Sequence, residues 1–317
     1  MRILVTTDPF GKSDTTPREL LKKYEEKGFS VRYNEVKRKH TSVEIATLLS
    51  SYNPEIIIAG TEKYTSEMLD LDSNLKMISR VGIGLDGIPL EECVKRNIVV
   101  ANTPDAPSNA VADLTIGYMI NSLRKINYMD NLLKKERWER YIGKEISECN
   151  IGIIGYGRIG KKVVQRLRGF EPKNIFINDV NHNQLNGLNP VEISSLDKIL
   201  KKSDIITLHI PYNERNANFI GKEELNKMKK DALLINTSRG GVVGEKDLTT
   251  WLDKNPLAKA AIDTFEEEPY TGILRLYEQT CLTPHAGSCT KRSRYLMEVG
   301  AVKNMEEFLK GKRNFLE

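Results

Sequence analysis

"IGIIGYGRIGKKV", residues 151–163, decides the fold. The short apolar run "NIGIIG" (150–155) reads as a buried strand. Gly155, Gly157 and Gly160 then follow in GxGxxG spacing, and a helical pattern starts at once. Between a strand and a helix those three glycines have distinct jobs. The first permits a tight turn, the second lets the backbone approach a pyrophosphate, and the third lets the helix pack close to the sheet. The N–H groups of Arg158 and Ile159 at the helix start then face an anion. Nineteen residues past Gly160, Asp179 ends the next apolar run in "IFINDVNHN". A carboxylate there accepts from a ribose diol and repels a 2′-phosphate. No arginine or lysine occurs in "VNHN", so the expected cofactor is NAD rather than NADP.

The same strand–helix rhythm extends in both directions. Before the loop come "RILVTT" (2–7), "FSVRYN" (29–34), "EIIIAG" (55–60), "LKMISRV" (75–81) and "IVVANT" (98–103). After it come "NIFIND" (174–179), "DIITLH" (204–209), "ALLINTS" (232–238) and "KAAID" (259–263). Near-continuous apolar strands separated by helices predict parallel sheets covered on both faces. "TPRE" (16–19) and "TSVE" (41–44) read as capping boxes that start helices. A helical stretch over roughly 108–140 divides the two runs of strands, and a last helix is expected near 290–310.

At 317 residues the chain has room for two cores. Hydrophobic content of 39% and charged content of 29% fit a globular protein in water. The net charge of +5 is scattered, without the basic, aromatic-interleaved stripe of a nucleic-acid binder. The opening "MRILVTTDPF" reads as a strand rather than a signal peptide, and no apolar run reaches the roughly 20 residues of a membrane span. The four cysteines have no metal-finger spacing, so free thiols, no bound metal and a cytoplasmic setting are expected.

Three stretches end predicted strands at the edge where open α/β sheets bind ligands. "LLINTSRGGVV" carries Arg239, "KAAIDTFEEEP" carries Asp263 and the run Glu266–Glu268, and "CLTPHAGS" carries His285. Taken singly these are a surface arginine, a solvated acidic run and a structural histidine, or they are a site; composition alone leaves both open.

Together the ordered motifs resemble a known family. "RVGIGLDGI" (80–88), "VVANTPDAPSNAVADLTIGYMI" (99–120), the GxGxxG, "NTSRGG" (236–241), "DTFEEEP" (263–269) and "TPHAGS" (283–288) make the chain, from about residue 3 to 310, similar to the D-isomer-specific 2-hydroxyacid dehydrogenases, in particular those like D-3-phosphoglycerate dehydrogenase. The resemblance implies an α/β fold of two Rossmann-like, doubly wound parallel sheets. A discontinuous flavodoxin-like substrate domain would span 1–104 and 287–317, with an NAD-binding Rossmann domain at 105–286. Helices starting near Ser108 and Thr290 would form the hinge.

The same resemblance implies the catalytic set Arg239, Glu268 and His285, and of the three glutamates it selects the one before the proline. The chemistry suits the residue types. Histidine can protonate the alkoxide formed as the nicotinamide delivers hydride, and an acidic neighbour steadies the imidazolium and its orientation. Arginine's planar fork can hold a carboxylate and polarise a carbonyl. The family further implies His209, Pro211, Thr237 and Asp263 as cofactor contacts, and Arg80, Val81 and Gly82 at the substrate carboxylate. It implies a homodimer through the nucleotide domain, with 108–140 as the surface. Trp138 would pack there or reach the substrate pocket.

Two departures narrow the expectation. "LDGIP" (85–89) has Gly87 where the family often has asparagine. The chain ends soon after its last helix, so a C-terminal regulatory domain and serine feedback are not expected. "KRKH" (37–40) and Lys12 either form a solvated basic turn or meet a substrate phosphate. The substrate is expected to be a small D-2-hydroxy or 2-oxo acid, 3-phosphoglycerate-like or hydroxypyruvate- or glyoxylate-like. The alternatives are a phosphite- or phosphonate-acting dehydrogenase and an NAD-sensing co-repressor. Glu268 argues against a formate dehydrogenase, which has glutamine as the histidine's partner.

Overall fold

The computed structural model describes residues 1–181 and 191–316. It divides into two compact units, Met1–Pro107 with Cys289–Glu317, and Ser108–Ser288.

The first unit alternates β1 (Arg2–Val5), α1 (Thr16–Glu25), β2 (Ser30–Arg32), α2 (Ser42–Tyr52), β3 (Ile56–Ala59), α3 (Ser66–Asp70), β4 (Met77–Arg80), α4 (Leu90–Lys95) and β5 (Val99–Ala101). The five strands pair in parallel in the order β2-β1-β3-β4-β5. Side chains alternate across the sheet. Ile3 and Val5 therefore join one apolar cluster with Leu21 of α1, while Leu4 joins another with Ile45 and Leu49 of α2. The last helix (Lys291–Leu309) packs on the first of these faces through Met297, Ala301, Val302 and Met305.

The second unit opens with α5 (Ser108–Arg124) and α6 (Ile126–Leu133). It continues with β6 (Asn150–Ile154), α7 (Arg158–Leu167), β7 (Asn174–Asn178), β8 (Val191–Ile193), α8 (Leu196–Lys202), β9 (Ile205–Leu208), α9 (Lys222–Lys227), β10 (Leu233–Asn236), α10 (Glu245–Lys254), β11 (Lys259–Ile262) and β12 (Thr280–Leu282). The last helix of the chain, already placed in the first unit, is α11. The seven strands are parallel, ordered β12-β11-β10-β9-β6-β7-β8. The direction of travel reverses between β6 and β9, so ligands are expected outside their carboxyl ends. Ile151 and Ile153 face α5 and α7, whereas Ile154 faces the layer of α8, α9 and α10.

Three local expectations are corrected. Thr16 is not the cap of α1: Thr15 precedes the helix and bonds Glu19 Oε1 through its hydroxyl (2.6 Å), while Asp14 Oδ1 already accepts the Thr16 N–H (2.9 Å). The box at Thr41 and Glu44 is present. The stretch 108–140 is not one helix. It breaks at Lys125, which takes a left-handed φ of 47°, and Lys259 Nζ satisfies the last-turn carbonyl of Ser122 (2.7 Å). Strand β8 was not expected, because its short run "VEI" carries too little apolar signal.

Candidate active site

The glycine loop follows β6 as its spacing requires. Gly155 has φ of 93°, and a Cβ there would lie 2.4 Å from the His209 carbonyl oxygen. A Cβ on Gly160 would lie 2.1 Å from the Gly155 carbonyl oxygen. Glycine is thus required at both points by the loop's own backbone. Gly157 differs: a Cβ there would meet nothing within 4 Å, and it is the N-cap residue just before α7. Open space above a helix start suits an approaching phosphate.

Asp179 lies one residue past β7. Its Oδ2 accepts the Tyr156 N–H (2.6 Å) and its Oδ1 the Asn181 N–H (2.7 Å), so it also ties the glycine loop to the neighbouring strand. A carboxylate has about four acceptor directions, which leaves two for a diol. Of the following "VNHN", positions 182 and 183 lie outside the described residues.

His209 follows β9 directly, its N–H held by the Ile154 carbonyl (2.7 Å). Its Nε2 meets Thr207 Oγ1 (3.1 Å), and burial pushes its pKa down to about 3, so the ring is neutral. Its Nδ1 is shielded from solvent and has no partner among the described residues. An orphaned buried polar atom costs about 1–3 kcal/mol, which a bound ligand can relieve. The loop, the open face at Gly157 and this nitrogen fit a dinucleotide. Thr237 is buried and shares its hydroxyl with Thr115 (3.2 Å), while Pro211 is exposed and its carbonyl accepts from Asn216 (2.9 Å).

The strand ends bring Glu268 and His285 together. His285 Nδ1 lies 3.1 and 3.0 Å from the two Glu268 oxygens. A carboxylate only accepts, so Nδ1 carries a hydrogen and Nε2 is the ring nitrogen that does not face Glu268. The pair is half-exposed, where an ion pair contributes about 0–1 kcal/mol to stability. Its value lies in orientation rather than in holding the fold.

The backbone under the pair is strained and clamped. His285 has φ of 50°, a left-handed conformation that costs a side-chain-bearing residue about 1–2 kcal/mol. Asp263, only 1% exposed, holds it there. Its carbonyl accepts the His285 N–H (2.8 Å), its Oδ1 the Ala286 N–H (2.7 Å) and its Oδ2 the Gly287 N–H (2.8 Å). The Thr283 hydroxyl also donates to Oδ1. This clamping was not legible in the sequence, where Asp263 read only as a cofactor contact.

Arg239 follows β10 on a turn built by Asn236. The Asn236 side chain donates to the Arg239 carbonyl (2.8 Å) and accepts from the Ser238 N–H (3.0 Å) and hydroxyl (2.7 Å). A Cβ on Gly240 would lie 2.0 Å from Phe265, so the arginine turn presses on the segment leading to Glu268. Phe265 N–H in turn donates to Glu268 Oε1 (3.2 Å).

In the first unit, Arg80 ends β4 and Val81 and Gly82 follow it. The Val81 N–H donates to the Ala59 carbonyl (2.9 Å) and the Gly82 N–H to Thr103 Oγ1 (2.9 Å). Arg80 Nη1 folds back on the Val81 carbonyl. Gly82 has φ of 137°, which restricts the position to glycine. Part of the basic turn is engaged: Arg38 pairs both arms with Glu44 (2.7 and 2.9 Å) and His40 is buried against Asn34 (3.2 Å), while Lys12 pairs with Asp8 (2.9 Å). Trp138 is 78% exposed. Among the described residues, no cluster of three or more His, Cys, Asp or Glu could hold a metal, and no helix is long and apolar enough to cross a membrane.

The profile of the family described as "D-isomer specific 2-hydroxyacid dehydrogenase, NAD binding domain" matches residues 116–287. The chain is 35% identical over 260 residues to a glyoxylate reductase of Thermofilum pendens, covering 79% of this chain and 77% of that protein. It is 32% identical over 275 residues to a D-3-phosphoglycerate dehydrogenase of Methanocaldococcus jannaschii, covering 86% of this chain and 52% of that one. Among solved structures, the TT0316 protein of Thermus thermophilus superposes with a TM-score of 0.87 at 26% identity, covering 99% of this chain and 98% of the other. Those relatives favour a dehydrogenase of 2-hydroxy acids over the phosphite-acting and co-repressor alternatives.

Proposed function

The chain belongs to the D-isomer-specific 2-hydroxyacid dehydrogenase family and is an NAD-dependent oxidoreductase; from that premise we propose that it reduces a small 2-oxo acid to the D-2-hydroxy acid with His285 as proton donor. The observation that carries this reading is the Glu268–His285 pair, presented at the carboxyl edge of the second sheet with Nε2 as its working atom. Bound NADH supplies the hydride. His285 Nε2 gives its proton to the oxygen of the carbonyl being reduced, and Glu268 stabilises the ring while it is charged. In the oxidative direction the neutral ring takes the hydroxyl proton back.

Arg239 takes the substrate carboxylate and polarises the carbonyl with its fork. In the first unit, Arg80, Val81 and Gly82 are the positions we assign to binding a substrate carboxylate. For Val81 and Gly82 this requires exchanging their present acceptors, Ala59 and Thr103, for the ligand. Within the second unit we assign the cofactor to Gly155, Gly157, Arg158, Ile159, Gly160, Asp179, His209, Pro211, Thr237 and the one acceptor direction that Asp263 has left. The exposed apolar side chains Ile126, Leu133, Trp138 and Ile142 support a homodimer through the second unit. NAD use and four cysteines outside any disulfide support a cytoplasmic setting.

Two substitutions in the loop separate folding from binding. Gly160→Ala forces a methyl into the Gly155 carbonyl and is expected to cost about 1–3 kcal/mol, several degrees of melting temperature. Gly157→Ala has room in the protein and loses only about 1 kcal/mol of helix-cap preference, yet its methyl meets the pyrophosphate. Its Kd for NADH should rise at least about tenfold. Unaltered NADH affinity in Gly157→Ala, measured by fluorescence titration, would remove the pyrophosphate from this loop.

Asp179→Ala should narrow the preference for NADH over NADPH at least about tenfold, since it removes both the diol acceptor and the charge that repels a 2′-phosphate. Because Asp179 also holds the Tyr156 N–H, Asp179→Asn serves as the control that keeps an acceptor there. A preference unmoved in both variants contradicts the assignment. The reading as a whole is tested by following NADH absorbance with glyoxylate, hydroxypyruvate, phosphohydroxypyruvate and pyruvate. Turnover of at least one is expected, and failure with all of them would refute it.

A further inference from the structure

The first sheet has a reversal of its own. Its order β2-β1-β3-β4-β5 changes direction between β1 and β3, and an open parallel sheet takes ligands in the crevice outside the carboxyl ends at such a point. The residues that close those ends are Thr6, just past β1, and Gly60–Tyr64, just past β3. One of them is out of character. Glu62 is a charged residue in a loop, yet it is only 3% exposed. Glutamate is almost never so buried without a reason.

The surroundings are shaped to keep it there. Glu62 Oε2 accepts from the Thr6 hydroxyl (3.1 Å), which also receives the Gly60 N–H (3.2 Å) and meets the Tyr64 hydroxyl (3.3 Å). A Cβ on Gly60 would lie 2.7 and 2.8 Å from the two carboxylate oxygens, and one on Gly87 would lie 2.6 Å from the Glu62 carbonyl oxygen. Glycine at position 87 thus leaves room for the Glu62 loop. The Tyr64 phenol is pushed up by burial and then by the Glu62 charge, with Arg80 opposing. Negative Glu62 and positive Arg80 thus act on the same buried ring.

Four cationic side chains of this unit are engaged within the protein, while Lys63, next to Glu62 in the chain, is exposed. Lys12 pairs with Asp8 (2.9 Å), Arg294 with Glu298 (2.7 Å), and Arg18 donates to the Phe10 carbonyl (3.0 Å). Arg38 is held by both arms on Glu44 (2.7 and 2.9 Å).

We propose that Glu62 is a specificity-determining residue that excludes 2-oxo acids bearing a second negative charge, so that the substrate is a 2-oxo acid whose only anionic group is the carboxylate next to the carbonyl. This rests on the 2-oxo acid reductase reading above and selects the uncharged-substituent members, such as glyoxylate and hydroxypyruvate, over a phosphorylated one. A phosphate brought to this edge meets a fixed like charge in a low-dielectric wall, and like charges there are discriminated by about a hundredfold.

The test compares kcat/KM for hydroxypyruvate and phosphohydroxypyruvate in the wild type, Glu62→Gln and Glu62→Asp. The wild type should favour hydroxypyruvate by about a hundredfold or more. Glu62→Gln should narrow that ratio at least tenfold by improving the phosphorylated acid, and Glu62→Asp should keep most of it. If the variants do not fold, phosphohydroxypyruvate as an inhibitor of wild-type hydroxypyruvate reduction gives the same information: its inhibition constant should exceed the hydroxypyruvate KM by about a hundredfold. A wild type that prefers the phosphorylated acid, or binds it as tightly, overturns the inference but leaves the reductase reading intact. So does a ratio unmoved by Glu62→Gln. An enzyme that reduces neither acid, nor glyoxylate, removes the reductase reading and the inference with it.

Discussion

Replacing His285 with alanine is expected to lower kcat for 2-oxo acid reduction by at least about a hundredfold while leaving the fold and NADH affinity in place. The loop does not depend on the ring. Its left-handed turn is held by Asp263 through the N–H groups of residues 285, 286 and 287, none of which the substitution touches. The side chain is 38% exposed and its ion pair is a weak contributor to stability, so the melting temperature should move by little. What disappears is the proton donor proposed for the reaction. General acid catalysis by a positioned side chain is worth about 10²–10⁴ in rate. Near-wild-type turnover in this variant would mean that the proton comes from elsewhere.

The second large effect is expected at Arg239. Arg239→Ala should reduce kcat/KM by about 10³ or more, through both KM and kcat, because one fork is asked to bind the carboxylate and polarise the carbonyl. Hydrogen bonds to charged groups are worth about 1.5–3 kcal/mol each, and two are lost together. Arg239→Lys restores the charge but not the planar pair of donors, and should recover about a tenfold part of the loss. The turn itself is kept by Asn236 and by the close fit of Gly240 on Phe265, so neither variant should unfold. If Arg239→Lys behaved like the wild type, a bare positive charge would suffice and the fork would not be needed. If Arg239→Ala altered KM alone, the arginine would bind substrate without assisting the chemistry.

Much of this arrangement is legible in the residues, for identifiable reasons. Strands buried on both faces must be largely apolar, so β3, β6, β9 and β10 stand out as short runs dominated by isoleucine and leucine. The glycine loop is legible because two of its glycines are forced by backbone crowding and the third by open space. The pairing of Glu268 with His285, seventeen residues apart and on different strand ends, follows from no local pattern; the family resemblance supplies it.

Other features leave no mark on the sequence. Asp263 clamps the histidine loop through backbone N–H groups, and backbone partners have no sequence signature. Glu62 reads as one more surface charge, because its burial depends on the distant Gly87 and the Thr6 hydroxyl, which only the folded sheet brings near. The break in the helix at Lys125 is unmarked as well. Lysine ordinarily favours helix, and here tertiary contacts at the end of α5 override that preference.

The central claim is that Glu268 acts on the reaction through His285, and a double-mutant cycle measures it directly. Single-turnover rates of 2-oxo acid reduction are compared for the wild type, Glu268→Gln, His285→Ala and the double variant. Glu268→Gln should slow the wild type by about tenfold or more, and should have no further effect once His285 is gone. If instead the two losses multiply, the carboxylate and the imidazole work independently, and the paired proton donor described here does not exist.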